Sequence, residues 1–139
     1  MKSRTFKNFL KFTIRDDDLR HVYIEFNAKA ANSIEINTCE AADEILCEIY
    51  CILDPLIELC NIEKRSFIIN IDMDGANLLL YKANILIHMV MRLHDHIQTE
   101  RHDLTEKCRI ENPPFFVKPI YTLLRPFIRE TFVNKIEID

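Results

Sequence analysis

Two kinds of hydrophobic pattern follow each other along the chain, and the first is typical of β-strands. Residues 5–14 and 21–26 are rich in Phe, Val, Ile and Tyr, and the polar run 15–18 separates them. They predict a strand pair joined by a turn. Residues 34–36 predict a short third strand. The branched and aromatic run 66–71 predicts a central strand that is buried on both faces.

The second pattern has helical spacing. A helix running to about Cys60 is predicted because apolar residues recur at intervals of three and four, namely Ala42, Ile45, Ile49, Ile52, Leu56 and Leu59. Asn37 with Glu40 three positions later predicts the start of this helix. Pro55 is expected to bend or interrupt it.

The remainder of the chain continues the alternation of helix and strand. Residues 78–97 are apolar almost all round and predict a helix covered on several sides. Residues 107–111 predict a strand, 115–124 a helix that ends before Pro126, and 136–138 a last short strand. This order predicts an α/β fold with a largely parallel sheet and flanking helices, in a single domain over residues 1–139.

Composition and charge narrow the class of protein. The chain is 48% hydrophobic and 29% charged, which is typical of a globular domain. Its net charge of −4 and the lack of a dense basic stripe argue against nucleic acid as a partner. The first fifteen residues do not resemble a secretory signal, so we expect a cytoplasmic protein.

The 5 cysteines include no Cys-x-x-Cys pair, so neither a disulfide framework nor a zinc finger is predicted. Cys47, Cys51 and Cys60 fall at near-helical spacing among Ile and Leu. We therefore expect them to pack as small hydrophobic residues in the core.

A local motif at the end of the central strand suggests an enzyme. Asp72, Asp74 and Gly75 form an Asp-x-Asp-Gly sequence that resembles the first motif of the haloacid dehalogenase-like phosphatases. The later residues contain no adjacent acidic pair for Mg²⁺, which argues against a Mg²⁺-dependent phosphatase that would use Asp72 and Asp74. A calcium loop is disfavoured because Tyr81 stands where a bidentate Glu is required. The remaining interpretation is a tight turn in which carboxylates cap the following helix.

Other candidate chemistry is weaker still. His88, His94, His96 and His102 do not have the spacing of a tight zinc site. No serine lies in a Gly-x-Ser-x-Gly turn. The sequence therefore predicts no catalytic residue, no metal site and no cofactor, and we expect a protein that is not an enzyme.

The C-terminal third carries a longer set of linked positions. A strand leads to Asn112 and Pro114, then a helix, then Arg125-Pro126-Phe127, Thr131, and Lys135-Ile136 before a final strand. This arrangement resembles the CRAL-TRIO lipid-binding family. Upstream, Asp72 and Gly75 match the Asp-x-x-Gly sequence in which a strand of that family ends, just before the family's long helix. Because the resemblance links several positions over residues 66–138, it is much more specific than the Asp-x-Asp-Gly motif.

The resemblance implies an apolar pocket between a sheet and helices. By position, Asp103 and Lys135 correspond to the family residues that contact the inositol phosphate of a phosphoinositide. The candidates for the lining of this pocket are all apolar, and the alternative is that they simply pack against each other. They are Phe67, Ile69, Ile71, Leu79, Ile85, Met89, Leu93, Phe115, Phe116, Ile120 and Leu124.

Family members usually continue past the Lys-Ile strand into a gating helix, and many carry a helical bundle in front. We expect neither in these 139 residues. The main hypothesis is non-enzymatic binding of a phospholipid or other small hydrophobic ligand, with peripheral membrane contact. The alternative is a protein-protein interaction or dimerisation scaffold, in which a partner protein or a second copy covers the apolar surface.

Overall fold

The computed structural model describes residues 2–32, 36–76, 80–97 and 104–139, with backbone only at 80–84, 86 and 87. Six strands and five helices occur in these ranges. The strands are β1 (Lys2–Phe6), β2 (Leu10–Ile14), β3 (His21–Asn27), β4 (Ser66–Asp72), β5 (Thr105–Glu111) and β6 (Ile136–Ile138). The helices are α1 (Ala28–Ala31), α2 (Cys39–Glu63), α3 (Leu80–Ile97), α4 (Val117–Leu124) and α5 (Glu130–Val133), with a 3-10 turn at Arg125–Phe127.

The six strands form one sheet in the order in which they occur along the chain. The β1–β2 and β2–β3 pairs are antiparallel, whereas β3, β4, β5 and β6 are parallel. This confirms the predicted α/β fold with a largely parallel sheet, and β4 takes its predicted place near the centre.

The N-terminal strand prediction was wrong in one respect. Residues 5–14 are not one strand, because the chain turns between β1 and β2. Lys7 and Asn8 occupy this turn with φ angles of 48° and 64°. Asn adopts this left-handed conformation more readily than most residues, but a Lys beside it gives little warning of a turn. Two of the three residues of the strand predicted at 34–36, residues 34 and 35, lie outside the described residues.

The two faces of the sheet differ in polarity. One cross-strand row is apolar and consists of Phe12, Ile24, Ile69, Cys108 and Ile136. The adjacent row on the other face is polar and consists of Lys11, Glu25, Asn70, Arg109 and Glu137. Right-handed crossovers between successive parallel neighbours place their helices on one face. The core lies on this face, where buried side chains of the sheet and α2 form one cluster.

Helix α2 departs from its prediction at three points. Its N-cap is Thr38, whose hydroxyl oxygen accepts a hydrogen bond from the N–H of Ala41 at 3.1 Å, one residue after the predicted Asn37. Of the two effects expected of Pro55, a bend or an interruption, the interruption does not occur, because the helix continues through this residue to Glu63. Cys60 is buried as expected, but Cys47 and Cys51 are exposed. They lie away from the face that buries Leu46, Ile49 and Leu53, so the expectation that they join the core was wrong.

Candidate functional site

Most of the predicted lining residues on the sheet and on α3 belong to the hydrophobic core. Phe67 is fully buried and Ile69 lies in the same cluster. Ile71, Met89 and Leu93 pack against that cluster. Ile85 is buried as well, and Leu79 lies outside the described residues. Phe67, Ile69, Ile71, Met89 and Leu93 therefore pack in one cluster with side chains of α2.

The predicted lining residues on the C-terminal segment form a second group. Leu124 is buried with Ile128 and Val133, and Ile120 packs against them. Phe116 is half-buried and contacts Phe115 edge to face, with ring centroids 5.7 Å apart. Phe115 itself is 92% exposed. Leu124 and Ile120 thus belong to a smaller C-terminal cluster, which adjoins the main core through Phe132, a residue that packs against both.

Two open cavities lie on the C-terminal part of the described surface. The larger has a volume of about 390 Å³ and is lined by Thr122, Arg125, Pro126, Ile128, Glu130, Val133 and Asn134. The smaller, of about 200 Å³, is lined by Pro113, Pro114, Phe115, Lys118 and Asp139. Phe115 is the one predicted lining residue that borders either of these two cavities.

Of the two predicted head-group residues, Lys135 can be placed. It is half-buried and directly precedes β6. Its carbonyl oxygen accepts a hydrogen bond from the N–H of Cys108 at 2.9 Å, which fixes its backbone to β5. Asp103 lies outside the described residues. The role of this pair in head-group binding stays a prediction.

A strongly amphipathic surface follows β5, and we call residues 115–129 the apolar-basic segment. Six large hydrophobic residues are exposed in the described chain, and three of them, Phe115, Leu123 and Phe127, lie in this segment with exposures of 92%, 68% and 71%. The sequence interpretation selected Phe115 as a lining residue but not Leu123 or Phe127. Their positions beside Arg125 and Pro126 were the available indication.

The charges of the apolar-basic segment all have one sign. Lys118, Arg125 and Arg129 are exposed, and the segment contains no Asp or Glu. Each exposed hydrophobic residue therefore lies within four positions of a basic residue. This combination is typical of a surface that meets anionic amphiphiles.

A family model describing the CRAL/TRIO domain matches residues 12–139, which is nearly the whole chain. The chain belongs to the CRAL-TRIO family. Membership of this family indicates binding of lipids or other small hydrophobic molecules. No curated protein matches the chain significantly. Among the described helices, none is long and apolar enough to cross a bilayer.

The Asp-x-Asp-Gly motif of this CRAL-TRIO domain forms a turn. Oδ1 of Asp72 accepts hydrogen bonds from the N–H of Asp74 at 3.0 Å and from Nδ2 of Asn112 at 3.1 Å. These bonds lower the pKa of Asp72, the bond from Asp74 contributing most. Gly75 has a φ of 73°, and its carbonyl oxygen accepts a hydrogen bond from Nδ2 of Asn32 at 2.6 Å. The motif therefore connects the ends of β4 and β5, and its carboxylate is already bonded within the protein.

The histidines of α3 connect helices. Nε2 of His88 lies 2.7 Å from Oδ1 of Asp43, and Nε2 of His96 lies 2.5 Å from Oδ1 of Asp54. His94 is buried against the edge of Phe132. Two of the three thus attach α3 to α2, and His102 lies outside the described residues. Within the described part of the chain, no three His, Cys, Asp or Glu side chains converge as metal ligands would.

A polar cluster that the sequence interpretation missed surrounds His21. Its Nδ1 lies 2.9 Å from Oδ2 of Asp18, and its Nε2 lies 2.5 Å from Oε2 of Glu106. The hydroxyl of Tyr23 donates to the same oxygen of Asp18. Bonds from Tyr23 and then from His21 hold the pKa of Asp18 well below its ordinary value. The sequence gives no indication of this cluster because Glu106 is distant along the chain.

Proposed function

We propose that this CRAL-TRIO domain binds a phospholipid without chemically changing it, and that the apolar-basic segment is the element that meets the lipid at a membrane surface. The proposal is supported by one observation above all. Three large hydrophobic side chains are exposed among three basic ones, in a stretch of fifteen residues without an acidic group.

The energetics favour an amphiphilic environment for this segment. Transferring a Phe or Leu side chain from water to an apolar environment contributes about 1.5–3 kcal/mol. Each Lys or Arg near an anionic membrane surface adds about 1 kcal/mol. Leu123 and Phe127 flank Arg125, so apolar insertion and attraction to lipid phosphate act at the same place. The domain would then be a cytoplasmic protein bound peripherally to membranes.

The charge pattern also favours a lipid surface over a protein partner. A second copy of this chain would bring the same three basic side chains together, and the resulting repulsion would oppose dimerisation through this segment. A phospholipid surface supplies both the acyl region and the phosphate. A dimer in solution that dissociates when Leu123 and Phe127 are replaced would instead support the scaffold.

The head group is expected to meet Lys135. This residue follows α5 and stands at the start of β6, on the same C-terminal part of the chain as the apolar-basic segment. An ammonium group there can form charge-assisted hydrogen bonds with a phosphate. Together with Asp103, which would accept hydrogen bonds from inositol hydroxyls, it makes a phosphoinositide the preferred phospholipid in this proposal.

The proposal is tested by vesicle co-sedimentation with phosphatidylcholine alone, with added phosphatidylserine and with added phosphoinositide. The double variant Leu123→Ser/Phe127→Ser should bind vesicles at least tenfold more weakly. Ile62→Ser is the matched control, since Ile62 on α2 is as exposed as Phe127. Lys135→Gln should reduce the preference for phosphoinositide while leaving binding to phosphatidylserine unchanged.

Mass spectrometry after organic extraction then shows whether a phospholipid is carried by the purified protein. The proposal fails if no lipid is carried and no vesicle is bound. It also fails if Ile62→Ser weakens vesicle binding as much as the double variant, because the effect would not belong to the apolar-basic segment.

A further inference from the structure

The face of the sheet opposite the core carries a cross-strand row of charges with an unusual symmetry, and we call it the polar row. It runs from β2 to β6 through Lys11, Glu25, Asn70, Arg109 and Glu137. The charged members are exposed and Asn70 is half-buried. In this order the charges are positive, negative, neutral, positive and negative. Positions at equal distances on the two sides of Asn70 therefore carry opposite charges.

This symmetry makes the polar row complementary to itself. A second copy can be placed face to face by a two-fold axis that lies between the two sheets, runs along β4 and passes over Asn70. Neighbouring strands are about 4.8 Å apart, so Lys11 then lies over the second copy's Glu137, two strands from the axis. Glu25 lies over the second copy's Arg109, one strand from the axis. Each pair occurs twice, so every charge of the two rows faces an opposite charge, and the two Asn70 amides meet at the axis.

The same charges disfavour the other simple two-fold arrangement. With the axis placed across the strands, each member of the polar row would lie over its own equivalent, for example Lys11 over Lys11 and Glu25 over Glu25. Like charges that meet across an interface oppose association. The signs along the row therefore select one of the two orientations.

The rows on either side of the polar row fit the selected orientation with one exception. On one side, Tyr23, Ile68 and Lys107 are neighbours on β3, β4 and β5. The axis brings Ile68 over Ile68 and Lys107 over Tyr23, so no like charges meet there. On the other side it brings Asp72 towards the second copy's Asp72, which is repulsive. This repulsion predicts one substitution that should strengthen the association.

Contacts within one chain leave the charges of the polar row free to meet a second copy. Lys11 and Glu25 are opposite each other in the register, but they form no ion pair in the part of the chain that the structure describes. Arg109 lies 3.3 Å from Asp139, and Glu137 lies 3.2 Å from Lys107, with side chains that are 42% to 59% exposed. Exposed ion pairs contribute little to stability, so Arg109 and Glu137 can share or exchange partners at small cost.

We propose that a second copy of this chain packs on the polar row and that the protein forms a weak, salt-sensitive, face-to-face dimer. Five strands and three cross-strand rows cover about 24 Å by about 20 Å, which is roughly 500 Å² per copy. A total of about 1,000 Å² is at the lower limit for a specific interface, so a dissociation constant in the micromolar range is expected. The helices and the apolar-basic segment remain on the outer side of each sheet, so this inference is independent of the proposed lipid function.

The test is sedimentation equilibrium of the full chain from about 10 to about 500 µM, at about 50 mM and about 500 mM salt. A monomer-dimer equilibrium should appear and should weaken at least about tenfold at the higher salt concentration. Glu25→Arg and Arg109→Glu should each weaken dimerisation at least about tenfold, because each creates two like-charge contacts. Glu44→Arg, the same change at an exposed position of α2, is the matched control and should leave the dimer intact.

A mixture of the two charge-reversed variants gives the sharpest comparison. Glu25→Arg protein mixed with Arg109→Glu protein has opposite charges at every facing position, so a heterodimer should form with about the wild-type affinity although neither variant dimerises alone. Asp72→Asn should strengthen the dimer of the otherwise unchanged chain. Leu123→Ser/Phe127→Ser should not affect it, which distinguishes this interface from one formed through the apolar-basic segment.

Three results would overturn the proposal. The first is a monomer at the highest concentration and the lower salt. The second is a dimer that Glu44→Arg weakens as much as Glu25→Arg does. The third is a mixture of the charge-reversed variants that associates no more than its separate components. Circular dichroism of each variant establishes that the fold is retained, since the substituted side chains of the polar row are exposed.

Discussion

Nε2 of His21 lies 2.5 Å from Oε2 of Glu106, although β3 and β5 are separated by β4. The contact is possible because the register between β4 and β5 shifts, with Phe67 opposite Thr105 and Ile68 opposite Lys107. Glu106 is the extra residue of this irregularity. An irregularity of this kind redirects a side chain from its regular position in a strand. Here it lets a carboxylate reach across the central strand.

The His21 cluster should make stability depend on pH. Partial burial lowers the pKa of His21, but the hydrogen bonds and charges of Asp18 and Glu106 outweigh this effect, so its pKa is raised overall. A raised pKa in the folded state means that the contribution to stability is full below about pH 6.5, the unfolded value, and is lost as pH rises through the folded value. We expect His21→Gln to lower the free energy of unfolding by about 1 kcal/mol at pH 6 and by less at pH 9. Denaturant unfolding at the two pH values measures the difference.

Glu106→Gln is the companion variant to His21→Gln. It keeps the size of the side chain and removes one of the two charges, so part of the pH dependence should remain. A difference between wild type and His21→Gln that is the same at pH 6 and pH 9 would contradict the assignment.

Phe67 and Phe115 should respond in opposite ways to truncation. Phe67 is fully buried in the core cluster that also contains side chains of α2, so Phe67→Ala should cost about 3–5 kcal/mol in unfolding free energy. Phe115→Ala should change stability by less than about 0.5 kcal/mol and weaken vesicle binding instead. Thermal unfolding and vesicle co-sedimentation on the same samples give both values. A stable Phe67→Ala protein that has lost lipid would show that Phe67 lines a pocket after all.

Asp72 should be replaceable by Asn. The amide oxygen of Asn can accept the same hydrogen bond from the N–H of Asp74, so Asp72→Asn should retain the fold and lipid binding. Asp72→Ala, which removes the acceptor, should be the less stable variant in thermal unfolding. Assay of an aryl phosphate with Mg²⁺ tests the phosphatase hypothesis directly. Hydrolysis by the wild type that disappears in Asp72→Asn would revive that hypothesis.

The start of α2 provides a test of the capping residue. Thr38→Ala removes the hydroxyl that accepts from Ala41 and should cost about 1 kcal/mol. Asn37→Ala, one residue earlier, should be close to neutral. If Asn37→Ala were the more damaging change in chemical denaturation, the helix would begin where the sequence pattern first suggested.

Much of the fold could be predicted because its elements agree with simple periodicities. The strands that became β4 and β6 were predicted to within a residue, since branched residues between polar boundaries leave few alternatives. The cap of α2 was misplaced because Asn37 and Thr38 are both good capping residues, and only the backbone decides between neighbours. The turn at Lys7 and Asn8 was missed because it contains no glycine.

The candidate site was less predictable than the fold. Cys47 and Cys51 follow the same spacing as core residues, and α2 has more apolar residues than its buried face can accept. Their exposure depends on how α2 is rotated against the sheet, which local sequence does not specify. The exposure of Leu123 and Phe127 likewise depends on which side of the C-terminal segment meets α3.

The strand order follows the chain without exception from β1 to β6. Every strand after β1 therefore pairs with the strand that precedes it in the chain. Each pairing requires the closure of only one connection, so the loss of chain entropy is divided into small steps. A growing chain could add each helix and strand to an already formed edge as it leaves the ribosome, starting from the antiparallel strands. Because the strands lie in the sheet in chain order, the sheet can form in the same order in which its strands are synthesised.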